Sequence, residues 1–535
     1  MTTVATFVIL FSIATGVAIL VRRLEVPYTV ALVLVGLALG SLQLLEAPHL
    51  TKELLFAVFL PGLLFDAAFN LDAREFKQNA LAISALAVPG VIIGIALTAV
   101  IVTGVIGWFA LAPYFDWRLG LVFGALVAAT DPIAVVGLFR HLNAPARLRM
   151  LVEGESLMND GTSIVLLTLI LAFVGGTATS AGAILVRFTT IVGGGVLVGA
   201  VIGFGISRII AAVDDAMIEI TLTTIAAYGS FIVGEQFHYS GVIATVVAGM
   251  ICGNYGRRVG MSATTQLAVQ TFWEYLAFSL NSVIFLLIGF EVGLGTLIAS
   301  IAVISIAFAA VLLGRTVVIL AVTSLLRRTR ESVPMIWSVA LTWGGLRGAL
   351  SMVLALALPP QFPGRALLVT MTFGVVVASI LIQGLSMPFV LRRLGLVDLK
   401  GSDLAYDLAR GELQVAVAAE GEIARMRQAH AAPPELLDAF EQRYVKRREH
   451  ARDALMALHR DQSELREHAA VAAAEHLLLV EKAELVDRLR AGLIGHDAYV
   501  RLARNVDARL VGLRSGQRTE LAGLLAAPAA PSPTE

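Results

Sequence analysis

The sequence is poor in everything a soluble enzyme of its length would use. A single cysteine, Cys252, in 535 residues excludes an intrachain disulfide framework and any CxxC metal or redox motif. Charged residues make up only 15% of the chain, and the 40 basic and 40 acidic residues leave no surplus with which to hold nucleic acid or an acidic polymer. There is no P-loop, no HExxH and no dinucleotide fingerprint after a strand, so neither a nucleotide-driven pump nor a metalloprotease is expected. What is abundant is apolar: 57% of residues are hydrophobic, mean hydropathy is +0.82, and many apolar runs reach the ~20 residues that cross a bilayer. The expected class is an all-α polytopic membrane protein. The first apolar run continues to Val21 and meets Arg22-Arg23 without a basic segment before it, which reads as a retained first span.

Hydropathy predicts about thirteen spans, near residues 3–21, 27–45, 53–70, 79–110, 119–139, 150–174, 184–207, 217–235, 239–253, 267–290, 297–326, 333–358 and 366–391. With the N-terminus outside, the basic loop residues from Arg22 and Arg23 to Arg392 and Arg393 fall mostly on the cytoplasmic side. Only Lys52, Arg118, Arg187 and Arg365 remain outside, as the positive-inside rule requires. After residue 400 the composition changes: residues 401–535 carry 18 basic and 21 acidic residues, nearly half of all charges in the chain. Three regions follow, a transmembrane domain (1–400), a soluble helical cytoplasmic tail (401–525) of two to four amphipathic helices such as 435–460 and 463–490, and a disordered Ala/Pro/Ser end (526–535).

One stretch breaks the apolar pattern. Glu153-Gly154-Glu155-Ser156-Leu157-Met158-Asn159-Asp160-Gly161-Thr162-Ser163 places three carboxylates inside the sixth span. At 100° per residue, Thr162, Glu155, Asn159, Ser163, Ser156, Asp160 and Glu153 form one half of the helix, and the apolar residues and glycines form the other. A charge facing lipid costs at least ~3 kcal/mol, so the polar half faces protein or a water-filled cavity. Asp160 and Asp131 both lie near mid-membrane by residue count, and Asp160 is the residue expected to bind the ion or proton.

Two spans are interrupted. In the fifth, Thr130-Asp131-Pro132 removes a backbone donor and frees carbonyls; in the twelfth, Thr342-Trp343-Gly344-Gly345-Leu346-Arg347-Gly348 sets three glycines around an arginine. If spans 1–6 and 8–13 are inverted repeats of six helices joined by span 7, these are the fifth helix of each, the sequence pointer to a transporter's midplane ion site. Asp131 reads as a site residue or as a cap of a half-helix, and Thr130 and Ser156 as donors of neutral oxygens to an alkali cation. Arg347 needs a carboxylate partner, and Glu155 is the expected one, giving a structural ion pair. Asn159 orients the site without titrating. Arg315 reads as a structural arginine. Asp66 reads equally as support or ligand, and Glu153 as a partner of Arg147 or Arg149 or as a guide for cations. The glycines Gly193-Gly194-Gly195, Gly199 and Gly203 read as close helix packing.

The motifs Ala129-Thr130-Asp131-Pro132, Glu153 to Thr162 and Trp343 to Ala349 together resemble the monovalent cation/proton antiporter family, in particular its sodium/proton exchanger branch, over about residues 1–395. The resemblance implies a secondary active transporter of the cell membrane, not an enzyme. It exchanges Na⁺ or Li⁺ for H⁺ by alternating access through an elevator-like motion of a six-helix core, serves pH and sodium homeostasis, assembles as a homodimer and has no cofactor. It places the cation at Asp160, Asp131, Thr130 and Ser156 and the structural pair at Glu155 and Arg347. The Asn159-Asp160 pair is similar to that of electroneutral members and implies one cation per proton. A K⁺/H⁺ antiporter of the same fold, a cation channel, an intramembrane aspartate hydrolase and a membrane sensor are the rival readings.

Overall fold

The computed structural model describes residues 3–21, 27–42, 55–142, 144–176, 180–213, 215–291, 293–329, 331–396, 401–429 and 433–461, and scattered residues between 474 and 509. All regular structure among them is helical. The chain divides into two compact units, Met1–Asp398 and Leu399–Glu535.

In the first unit, α1 (Thr3–Val21), α2 (Tyr28–Ser41), α3 (Phe56–Asn70) and the short α4 (Ala73–Gln78) lead into α5 (Ala80–Trp108). The half-helices α6 (Trp117–Leu126) and α7 (Ile133–His141) precede the long α8 (Ala146–Val174). Then come α9 (Ala181–Ile210), α10 (Ala216–Gln236), α11 (Gly241–Gly256), α12 (Ala263–Glu291) and α13 (Ile301–Leu326). A second pair of half-helices, α14 (Met335–Trp343) and α15 (Ala349–Leu356), precedes α16 (Arg365–Arg393). Among the described residues seven helices are long and apolar enough to cross a membrane, and five further apolar helices are shorter. The half-helices explain part of that difference: a span broken in the middle yields two pieces, neither long enough alone.

Local chemistry sets the helix ends and kinks. Asp72, Asp116, Ser180, Asp215 and Ser240 each accept backbone N–H bonds at a helix start. Pro89 widens α5 into a π-turn at Leu86–Gly90, because its ring removes one donor of the ladder. Glycines set the close crossings. A Cβ on Gly195 would meet the Ser240 carbonyl at 2.7 Å and one on Gly203 the Ala248 Cα at 3.1 Å, so α9 lies against α11 as small-residue packing requires.

In the second unit, α17 (Gly401–Gln428) and α18 (Pro434–Asp461) form a helical hairpin. Ala416, Ile423, Leu437, Ala451 and Leu455 are buried in it, and its polar edges are tied by Arg427 to Asp438 and Glu441 at 2.6 Å and by Arg448 to Glu420 at 2.7 Å. The helix expected over 463–490 falls mostly, and the 526–535 end wholly, outside the described residues.

Candidate functional site

Both interruptions are real, and they meet. Residues 129–132 and 345–348 are non-helical, and the Asp131 N–H donates to the Leu346 carbonyl at 2.8 Å, so the two breaks cross with a backbone hydrogen bond between them. Pro132 and the glycines account for the loss of helix on each side. Gly348 is required at the crossing: a Cβ there would overlap the Asp131 carboxylate.

α8 runs beside the crossing with its polar half turned toward it. Ser156 donates its hydroxyl to the Thr130 carbonyl. Asn159 donates through Nδ2 to the Ala128 carbonyl at 3.0 Å and to the Thr130 hydroxyl at 3.2 Å, while its Oδ1 accepts from Ser163 at 2.6 Å. Thr162 reaches the opposite way, to the Ala87 carbonyl in the Pro89 kink at 2.8 Å. Both ends of the Asn159 amide are therefore engaged by protein partners, which holds it in one orientation.

A cavity of about 340 Å³ opens against this crossing. Asp160, Asp131, Thr130 and Ser156 line it together, so residues 29 positions apart from Asp131 to Asp160 face one space. Asp66 and Glu153 line it as well, and Asn70 donates to Asp66 Oδ1 at 2.9 Å. Arg147, one of the partners expected for Glu153, is turned to Asn79 Oδ1 at 2.8 Å and the Ser332 carbonyl at 2.9 Å. Two polar residues of α12, Glu274 and Asn281, complete the wall. Sequence reasoning passed over them, although seven residues is two helical turns and puts both on one face of an apolar span. Hydroxyls, a backbone carbonyl and carboxylates around one cavity form an all-oxygen donor set of the kind hard cations take.

The expected pair of Glu155 with Arg347 is corrected. Glu155 is held in a two-pronged bond by Arg315 of α13, Nη1 to Oε1 and Nη2 to Oε2, both at 3.1 Å, with both side chains nearly buried. Arg315 also donates to the Leu341 carbonyl at 3.0 Å from Nη2 and 3.2 Å from Nε. Arg347 instead turns Nη1 onto the Ala128 and Ala129 carbonyls at 2.8 and 3.2 Å. The reason is geometric. Each half-helix that ends inside the bundle leaves carbonyls without helical partners, and an arginine supplies donors to each end: Arg347 to the end of α6 and Arg315 to the end of α14. Of the two, Arg315 is the one that also bonds Glu155, and Gly345 lets its guanidinium pack against the backbone there.

A multi-helix membrane bundle in which two interrupted helices cross beside a carboxylate-lined cavity defines an ion-transporter architecture. The sequence model described as "Sodium/hydrogen exchanger, transmembrane" matches residues 8–393, and the chain belongs to that family. It is 37% identical over 412 residues to the low-affinity Na⁺/H⁺ antiporter NhaS1 of Synechocystis, an alignment covering 75% of this chain and 76% of that one. It is 38% identical over 400 residues to the Na⁺/H⁺ antiporter ApNhaP of Aphanothece halophytica, covering 73% and 75%. With the antiporter NhaS2 of Synechocystis the identity is 33% over 523 residues, covering 96% of this chain and 94% of that one, so the similarity there includes the tail. The fold is similar to that of the sodium proton antiporter MjNhaP1 from Methanocaldococcus jannaschii, with a TM-score of 0.60 at 19% identity over 74% of this chain and 98% of that one.

Proposed function

We propose that this chain is a secondary active antiporter exchanging Na⁺ or Li⁺ for H⁺, with Asp160 as the group that holds either ion. The observation that carries this reading is the meeting of Asp160, Asp131, Thr130 and Ser156 in one cavity at the crossing of two broken helices. A cation entering there replaces the Ser156–Thr130 hydrogen bond with two oxygen contacts of its own. The carboxylate supplies the charge, and a proton on the same carboxylate removes it. If only the neutralised site crosses the apolar partition, competition for Asp160 couples the two fluxes without any other energy source. The Asn159-Asp160 pair, in its resemblance to electroneutral members, is in keeping with exchange of one cation for one proton.

The same reading includes thirteen crossings arranged as two inverted six-helix repeats, an outside N-terminus, a cytoplasmic tail, a homodimer in the cell membrane and an elevator-like motion of the core. The paired breaks support the repeats, since matching interruptions are the mark of a duplicated unit. The exposed apolar face of α9, with Leu185, Val186, Leu197, Val201 and Phe204, offers a surface for a second copy or for lipid. Asp66, Glu153 and Glu274 concentrate cations at the cavity.

The test is relaxation of an imposed pH gradient in proteoliposomes on addition of sodium, lithium or potassium. Proton movement that follows sodium or lithium, is lost in Asp160→Asn, and shows a pH midpoint that moves down as the cation concentration rises is the expected result. Conductance without obligatory proton movement would make the protein a channel.

A further inference from the structure

The helical hairpin of the second unit has one face that its own packing does not explain. At 100° per residue, Leu436, Phe440, Arg443, Lys446, Arg447 and His450 share one third of α18, and no carboxylate between 436 and 457 falls among them. All six are exposed, Leu436 at 50% and Phe440 at 42%, whereas Leu437, Ala451 and Leu455 are buried within the hairpin. Arg447 reaches Glu412 of α17 at 3.3 Å, which sets Leu408 and Val415, one turn to either side of Glu412, on the same face. Both are open as well, at 60% and 54%. Arg443, Lys446 and His450 have no carboxylate partner among the described residues. Bare apolar side chains and unneutralised cations are thus gathered on one side of the hairpin.

We propose that this face docks on an anionic bilayer surface. Leucine, valine and phenylalanine side chains enter the boundary between headgroups and acyl chains, and the arginines and lysine meet lipid phosphates and carboxylates. The long stems of Arg443, Lys446 and Arg447 let their charges stay at headgroup level while Phe440 goes deeper. A second copy packed on the same face would set cations against cations, so the charge pattern selects an anionic partner over a twofold contact. α17 begins eight residues after α16 ends, which tethers the hairpin close to the bilayer, so a few weak contacts suffice. Under the cytoplasmic placement of the tail proposed above, the leaflet it meets is the one that carries anionic lipid. The docking does not depend on which ions the first unit exchanges.

The test places the full chain, with Cys252→Ser, in lipid nanodiscs and reads a spin label at Ala454→Cys, which is exposed one turn beyond His450 and leaves the six side chains intact. A label at Val417→Cys, 52% exposed and turned 200° from Val415 on α17, is the control. In discs rich in phosphatidylserine the label at 454 is expected to be shielded from a water-soluble relaxation agent and open to oxygen, while the label at 417 stays in water. In discs of phosphatidylcholine alone both labels stay in water. Arg443→Gln with Lys446→Gln lowers the docked-to-free ratio about 25-fold, at about fivefold for each charge. A label at 454 in water on both lipids would make the face merely solvated. Equal shielding on neutral and anionic discs, or dipolar coupling between labels of two chains whatever the lipid, would likewise overturn the proposal. No ion flux enters the measurement, so a chain that moves no protons on sodium addition refutes the antiport reading and leaves the docking result standing.

Discussion

The two interrupted spans do opposite chemistry at one crossing. The α6/α7 break is made by Pro132 and carries a carboxylate, Asp131; it offers oxygen. The α14/α15 break is made by Gly344, Gly345 and Gly348 and carries Arg347; it offers nitrogen donors and bare backbone. Proline frees carbonyls by removing a donor, whereas glycine frees space by removing a side chain. A cation site needs both, because oxygen ligands in mid-membrane are tolerable only where their charge and dipoles are balanced close by. In the antiport reading proposed above, the first break supplies ligands and the second is their frame.

If that contrast is right, the largest effect falls on neither break but on the carboxylate they are built around. Asp160→Asn removes a charged contact of about 3 kcal/mol, so sodium-driven proton movement slows by at least about 100-fold while the protein still folds. Next is the frame. Glu155→Gln leaves Arg315 buried without its countercharge, at a cost of about 3–5 kcal/mol read as a drop in thermal unfolding temperature in detergent. Replacing both members, Glu155→Gln with Arg315→Met, recovers most of that stability if the pair is structural, and none if either residue is independently required.

Gly348→Ala and Pro132→Ala sharpen the comparison itself. The added methyl at 348 overlaps the Asp131 carboxylate, and overpacking of about 1–3 kcal/mol predicts a sodium KM raised by about 5- to 150-fold. Pro132→Ala adds no overlap and is held in place by the Asp131–Leu346 bond, so its KM moves less. The reverse order would mean that the proline, not the glycine crossing, sets the geometry. The smallest effect is expected from ending the chain at Asp398: the first unit forms its own compact body, so the initial exchange rate stays within about twofold.

How far the site was legible follows from the same chemistry. The polar half of α8 and both breaks stand out in the sequence, because a carboxylate, a proline or a glycine triplet is rare where the surroundings must be apolar and helical. Glu274 and Asn281 carry the same kind of signal, two turns apart on α12, and were overlooked because neither lies in a dense motif. The partner of Glu155 was not legible. Arg315 and Arg347 are both arginines within interrupted or adjoining spans, and their residue types are identical; only the path of α13 past the end of α14 decides which one reaches the carboxylate.

By itself, then, the amino-acid order determined that the chain enters a membrane, where two helices break, and which face of α8 turns away from lipid. Those are local matters, fixed by the energy of placing each group in hydrocarbon. Tertiary structure decided that the breaks cross, that Asp131 and Asp160 share a cavity, and that Arg315 rather than Arg347 neutralises Glu155. Those are distances between elements far apart in the chain, and packing geometry alone sets them.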